Sequence, residues 1–596
     1  MPSTPLLCIL SVESSTAADQ ALGKFAQFLG LQADMVSLHR ESDEPPAMRP
    51  MPGGRILALH CAALPRLVQQ RWFPGFLDKA ALVFVYGFAP TTGESPELKW
   101  LTGGALSGVS AVAAQRLQFT VHADVGFGAF PVSGRSFCAD SASAAVFSAP
   151  APGSDIESYL TANGQPCFVA LRRGRSLLFL LAGAELPDID TALSPGSSLR
   201  PCYVPLLAAT IFLRGAFGPW CWTSPVTGAT FIVDDPYLKK RYGFIQYATL
   251  MRELEGMCGA LTVAFIPYNR RRSDRHTVAL LHAHSDRFSI AVHGCDHTGG
   301  EFASLEESWL AGTTACALER MEDHARRTGM PFDNVMVFPQ GRFSTKAIGA
   351  LRSCGLSAAV NSTAWPEDWQ EDPLTIRDLL DVAVTRYDRF PIFVRRYPRD
   401  VFDFAFDAFF QKPILAVEHH GFFRNGCGPL TEFIRDLSTL EPKLQWMPLG
   451  RTLASSCVVK RTGDSRSALR HFTPVFRFMN STPKSLTLAL EKPEKEGLVE
   501  AVLVHGHKVP FEIAAGVLRY EAEVDAGKEL NVAVIYRQTP RAIRRPSWKY
   551  RISAATRRRL SDVRDNQLAR SKRLLSVAEK LKETLVRRSK LGRNSH

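Results

Sequence analysis

The chain reads as an α/β protein. A (β/α) barrel is preceded by an open α/β layer domain and followed by a small β-sandwich and a basic helical tail. Three observations predict this. Short apolar runs alternate with helix-length stretches across residues 216–455, the pattern of repeated β-α units on a parallel sheet. Several of those runs end in Asp or His, where such folds gather their functional groups. After residue 470 the pattern changes to short alternating strands separated by turns.

Composition bounds the rest. The chain has 596 residues, 45% hydrophobic and 22% charged, which excludes a disordered chain. That length allows about three to five domains. The net charge of +13 is uneven: from Arg541 onward there are 18 Lys/Arg against 4 Asp/Glu. The remainder, 53 basic against 54 acidic residues, is near neutral. The basic balance therefore belongs to the tail and says nothing about a substrate. Twelve cysteines form no CxxC pair, which fits reduced thiols. The N-terminus lacks a basic segment before its apolar run and reads as a first strand. No apolar run reaches the ~18 residues of a membrane span, the longest candidates near Cys202–Leu213 being too short. Together these predict a cytoplasmic protein, at most peripheral at the inner membrane surface.

Residues 1–215 form the first unit. Residues 5–13, 55–63 and 80–88 read as strands and Ala18–Gly30 as a helix. Gln165–Gly183 is a hairpin turning at Arg172-Arg-Gly-Arg, and Val204–Leu213 a linking helix. The unit loosely resembles flavodoxin-like and amidotransferase-like domains, without a GxCxG turn or a GxGxxG loop. Across 216–455, strands are expected at Thr230–Val233, Leu261–Ile266, Phe288–His293, Val335–Phe338, Ala358–Val360 and Ile414–His419. Helices are expected at Ile245–Leu254, Leu305–Thr328 and Thr345–Cys354. Residues 470–538 make the sandwich. Residues 540–596 make the tail, where Leu574, Ala578, Leu581 and Leu585 form one helical stripe among Lys and Arg.

The chemistry gathers at four strand ends. Phe231-Ile-Val ends in Asp234-Asp235-Pro236. Adjacent carboxylates repel, and a cation beside one of them relieves this; by itself Asp-Asp-Pro also reads as a turn. Ser289-Ile-Ala-Val ends in His293-Gly-Cys-Asp-His297, two imidazoles at i and i+4 that suit a Zn²⁺-like ion. Cys295 between them reads either as a fourth ligand or as a core residue. Asp235, His293 and His297 together offer one oxygen and two nitrogens and leave positions open for water and substrate, as a catalytic metal site requires. Asp234 then remains free as a general base. Val335-Met-Val-Phe runs into Pro339-Gln-Gly341-Arg342, a tight loop. Ile414-Leu-Ala-Val-Glu ends in His419-His420, either of which can protonate a leaving amine or simply stand at a strand end.

In order and spacing these segments resemble the polysaccharide deacetylase, or NodB-homology, family over roughly residues 225–455. The resemblance implies a distorted (β/α) barrel that uses a divalent metal, most often zinc, to remove acetyl groups from N-acetylated sugars. It makes Asp234 the catalytic base, Asp235, His293 and His297 the metal ligands, and His419 or His420 the acid, with His419 better placed in the strand register. It sets Pro339, Gly341 and Arg342 against the substrate and Trp369 in an aromatic pocket wall, and it makes Trp446-Met-Pro-Leu-Gly the closing strand. Pro236 stands where the family has glycine. Gly294 stands where it has Ser or Thr, so a hydrogen bond bracing the loop is expected to be missing. Phe338 stands where an Arg orients the base, a role Arg342 is the candidate to fill.

The expected function is thus a metal-dependent deacetylase acting on a carbohydrate. The alternatives are a catalytically weak glycan-binding barrel, favoured by Phe338, and a glycoside hydrolase, disfavoured by the His pair. The tail is expected to contact a membrane surface or a protein. Nucleic acid is not an expected partner, because the tail's cations lack interleaved aromatics beyond Trp548 and Tyr550.

Overall fold

The computed structural model describes residues 5–12, 15–38, 55–122, 130–139, 143–183, 186–441, 443–537 and 547–567. Thr227–Asp234 (β1) is buried at every position, as a strand covered on both faces must be. It pairs in parallel with Leu261–Phe265 (β2) and, on its other edge, with Ile414–His419 (β7). From β2 the parallel pairing continues through Phe288–His293 (β3), Asp333–Val337 (β4), Ala358–Asn361 (β5) and Ile392–Val394 (β6). The sheet is nearly a closed seven-stranded barrel, since beyond β6 Arg396 makes a parallel bridge to Ala416 of β7.

Two details differ from expectation. The three-residue β6 is too short to show a period in the sequence. The closing strand expected at Trp446-Met-Pro-Leu-Gly ends at its first residue: the strand is Leu444–Trp446 (β8), it runs beside the first half of β1, opposite Thr227–Ala229, and a helix begins at Leu449. The seam is bridged by Arg396, because β7 already occupies β1's free edge from Ala229 onward.

In the first unit, Gln32–Leu38, Leu6–Val12, Arg55–His60, Ala80–Phe88 and Ser176–Ala182 are parallel neighbours in that order. The expected hairpin is present, Phe168 standing opposite Leu181, and antiparallel strands extend the sheet to nine. The linking helix is Tyr203–Phe217 (α1). Phe84 and Phe179 of the first sheet pack on its Phe212 at 5.0 and 5.5 Å, and Phe406 of the barrel stacks on its Tyr203 at 3.8 Å. A helix clamped between two layers has no polar side to keep, which explains its apolar composition. With its flanking turns it is long and apolar enough to cross a membrane, yet it is mostly buried inside the protein.

Two antiparallel-rich sheets of five and four strands lie between Cys457 and Tyr536 and enclose a core that includes Leu469, Phe476, Leu488 and Leu530. A buried ionic cluster joins this sandwich to the barrel. Glu494 accepts from Lys492 Nζ at 2.6 Å, from Tyr536 Oη at 2.6 Å and from Arg352 of the barrel helix Thr345–Ser353. None of the twelve cysteines is in a disulfide. Trp548–Asn566 (α2) is helical and lies on the barrel. The stripe expected at Leu574, Ala578, Leu581 and Leu585 lies outside the described residues.

Candidate active site

β1 delivers two carboxylates to the barrel mouth. Asp234 completes the strand, and Asp235 follows in the left-handed region at φ 81°. A non-glycine residue is held there only when its surroundings over-determine it, as functional sites do. The turn sends the two side chains different ways. Asp235 meets the second segment: its Oδ1 lies 3.1 Å from His297 Nε2 and 3.5 Å from His293 Nε2, and the two imidazoles are 4.9 Å apart. The three expected ligands therefore come together, all ligand atoms lying within 4.8 Å of one another.

The hydrogen bonding suits a cation. His293 Nδ1 lies 2.9 Å from the Val337 carbonyl, so that nitrogen carries the proton and donates, leaving Nε2 to face Asp235. Burial lowers His297 to a pKa of about 4, which keeps it neutral. Asp235 Oδ1 is buried with no hydrogen-bond partner. Burial would raise the Asp235 carboxyl, but the two histidines outweigh it and hold it well below the usual carboxylate range. One oxygen and two imidazole nitrogens converging on one point fit a divalent ion such as zinc.

Asp234 turns to the other side. Arg395, just beyond β6, donates from Nη1 to Oδ1 at 2.6 Å and from Nη2 to Oδ2 at 2.7 Å. Burial pushes the Asp234 carboxyl up; the Arg395 charge outweighs it and keeps the group ionised. This pair corrects the expectation for Arg342, whose Nε binds Glu367 at 2.8 Å on the exposed rim. Phe338 is buried and stacks on Phe343, so the third segment contributes packing there. Pro339 and Gly341 form a single 3-10 turn, and the Pro339 ring faces Gly294.

Gly294 explains the second segment's departure. Its φ is +62°, and an added Cβ would lie 2.1 Å from Glu301 Oε1. Glu301 fills that space and accepts from the backbone N–H groups of Cys295, Asp296, His297 and Thr298 at 2.8–3.4 Å. The loop is thus braced after all, by a carboxylate in place of a hydroxyl. Cys295 points into the core, with Arg320 Nη1 3.4 Å from its sulfur, and is turned from the ligand cluster.

The two candidate acids separate. His419 stands opposite Asp234 in the strand register and interacts electrostatically with both aspartates. His420 turns to α2, its Nε2 3.4 Å from Asp565 Oδ1 and its ring stacked on Phe244. Trp369 stands partly exposed on the 3-10 turn Trp369–Glu371, where nothing places it against the ligand cluster.

The segment after 540 also reaches the mouth. Asp565 accepts from Tyr242 Oη at 2.8 Å, Asn566 from the Gly243 N–H at 2.9 Å, and Asp562 pairs with Arg272 at 2.5 Å. Tyr550 lies 3.1 Å from Thr298, beside the His297 loop. α2 thus straps the loops that follow β1, β2 and β3. Sequence reasoning missed Arg395, Glu301 and Asp565. Arg395 had a signal, since it ends the apolar run Pro391-Ile-Phe-Val as Asp234 ends Phe231-Ile-Val. Asp565 had none, because its partners on the barrel, Tyr242 and His420, are more than 100 residues away.

No family model matches the chain. No curated protein matches either. Among solved structures, the chain is similar to the carbohydrate deacetylase Agd3, at 9% identity over 89% of this chain and 98% of that one, with a TM-score of 0.44. It is similar to the peptidoglycan deacetylase PdaC from Bacillus subtilis, at 10% identity over 39% of this chain and 91% of that one, with a TM-score of 0.24. BA3943, a CE4 family pseudoenzyme from Bacillus anthracis, is similar at 10% identity over 38% of this chain and 66% of that one, with a TM-score of 0.25.

Proposed function

We propose that the barrel is a metal-dependent hydrolase that removes acetyl groups from N-acetylated sugars of a polysaccharide or its precursor. The observation that carries this reading is the division of labour between two adjacent carboxylates. Asp235 converges with His293 and His297, while Asp234 is held ionised and apart by Arg395. A divalent ion held by Asp235, His293 and His297 would polarise the acetyl carbonyl and acidify a water.

The chain's own groups do the rest. Asp234 takes a proton from the attacking water at a carboxylate oxygen, and the Arg395 charge keeps that carboxylate ready to receive it. His419 gives a proton to the departing sugar nitrogen, and acetate and a free amine leave. The non-catalytic reading drew on Phe338 in the place of an arginine; with Arg395 on Asp234, that departure no longer favours it.

Metal analysis and acetate release from a panel of N-acetylated glycans test the proposal. About one ion per chain is expected, lost in a His293→Ala/His297→Ala variant. Asp234→Asn should keep the ion and lose turnover. A wild type that takes up no zinc, cobalt, nickel or manganese would overturn the reading.

A further inference from the structure

α2 has a second face. Its inner side carries Ala554, Arg558 and Asp565, all buried against the barrel. At 100° per residue, the opposite side carries Ile552, Thr556, Leu560 and Val563, spaced four, four and three apart. These are the exposed positions: Ile552 is 57% exposed, Leu560 66% and Val563 41%, with Trp548 at the helix start 67% exposed. Exposed arginines edge the stripe, with Arg551 and Arg559 along one side and Arg557 and Arg564 along the other. The same cations continue onto the rim. Arg271 and Arg326 line one groove with Trp548, Arg551 and Ile552; Arg270 and Arg272 of the same groove are paired with Asp323 and Asp562, and Glu319 also lines it, which leaves the groove net basic. Lys239, Lys240 and Arg241 line the groove beside it.

We infer that the outer face of α2, with the basic rim beside it, docks the barrel mouth onto an anionic lipid surface. An apolar stripe between two rows of arginines is the pattern of a helix lying in the plane of a membrane interface, where the stripe enters the acyl boundary and the arginines meet headgroups. The apolar stripe distinguishes this partner from a nucleic acid or an anionic polymer, which would use the cations and leave Ile552, Leu560 and Val563 in water. The charge distinguishes it from a second copy of the chain, which would bring like charges together. The sequence after Gln567 adds nine Lys/Arg against two acidic residues and sharpens that repulsion. The inference stands apart from the proposed chemistry, because it concerns the helix face turned away from Asp235 and the histidines.

The test is co-sedimentation of the full chain with phosphatidylcholine vesicles, with and without phosphatidylglycerol, at low and high salt. Binding should require phosphatidylglycerol and weaken with salt. Ile552→Asp/Leu560→Asp and Arg551→Glu/Arg559→Glu should each bind about tenfold more weakly or worse, at unchanged Tm because all four residues are exposed. Failure of the wild type to bind, or equal binding by both double variants, would overturn the inference; in the second case the chain beyond Gln567 suffices. Binding to heparin or single-stranded DNA that ignores Ile552→Asp/Leu560→Asp, with no vesicle binding, would identify a polyanion surface instead. A concentration-dependent dimer abolished by the same variant would identify a self-association face.

Discussion

Arg395 and Asp234, 161 residues apart in the chain, meet in a two-point contact at 2.6 and 2.7 Å inside the barrel mouth, with both side chains almost fully buried. Removing one partner of a buried ion pair strands the other charge. Arg395→Ala should therefore cost about 3–5 kcal/mol of stability. It should also lower deacetylation at least about a hundredfold through the disturbed base. Arg395→Lys, which keeps the charge but loses the fork, should recover stability better than turnover. Thermal unfolding and acetate release measure the two separately. A wild-type rate in Arg395→Ala would show that Asp234 needs no such partner.

Gly294→Ser restores the residue type that the sequence resemblance calls for, yet it should damage this protein. A side chain there collides with Glu301 and is strained at φ +62°. The expected effects are a lower Tm and weaker metal uptake, since the Cys295–Thr298 N–H groups lose their acceptor. Gly294→Ser/Glu301→Ala, which clears the space, should recover part of the loss. If Gly294→Ser alone raised the Tm, Glu301 would not be the brace.

Asp565 binds Tyr242, His420 and Arg564 at the inner end of α2. Asp565→Ala leaves the buried Tyr242 hydroxyl without its acceptor, at about 1–3 kcal/mol. Hydrogen exchange should quicken across Trp548–Asn566 while the barrel strands stay protected. Equal exchange in the two proteins would mean that Asp565 does not anchor the helix.

Acid should destabilise the fold through two buried neutral histidines. Burial lowers His471 to about 3 and His324 to about 4. His471 accepts from Tyr520 Oη at 2.7 Å on Nε2 and faces the Thr473 carbonyl through Nδ1. The unfolded chain takes up protons on both as the pH drops through about 6.5, whereas the folded chain waits until about 4 or below. Stability is therefore whole above that range and falls as the pH drops, by about 2 kcal/mol per histidine between pH 7 and 5. Urea titrations at the two pH values check this, with His471→Gln expected to flatten the dependence. A wild type equally stable at both would refute it.

Legibility followed the range of the signal. The strands of residues 216–455 were readable where apolar runs were long, as at Phe288–His293 and Ile414–His419, and β6 was lost because three residues show no period. The ligand cluster was readable because Asp235 and the His293–His297 pair each follow directly on an apolar strand, and such strand ends gather at one mouth; the two histidines meet across a non-helical loop that turns at Gly294 and His297. The resemblance points to Arg342, inside the third segment, as the arginine for the base, while the fold supplies Arg395 from the next strand but one.

Most of the barrel's strand-and-helix order, the twin aspartates at one strand's end and the paired histidines at another follow from the amino-acid order, because each depends on neighbours a few residues away. Tertiary structure alone decided that Arg395 holds Asp234, that Glu301 replaces a missing hydroxyl and that α2 straps the mouth. Those contacts depend on which loops a nearly closed sheet brings together, and on space left by a side chain that is absent. Neither quantity is written into any short window of the chain.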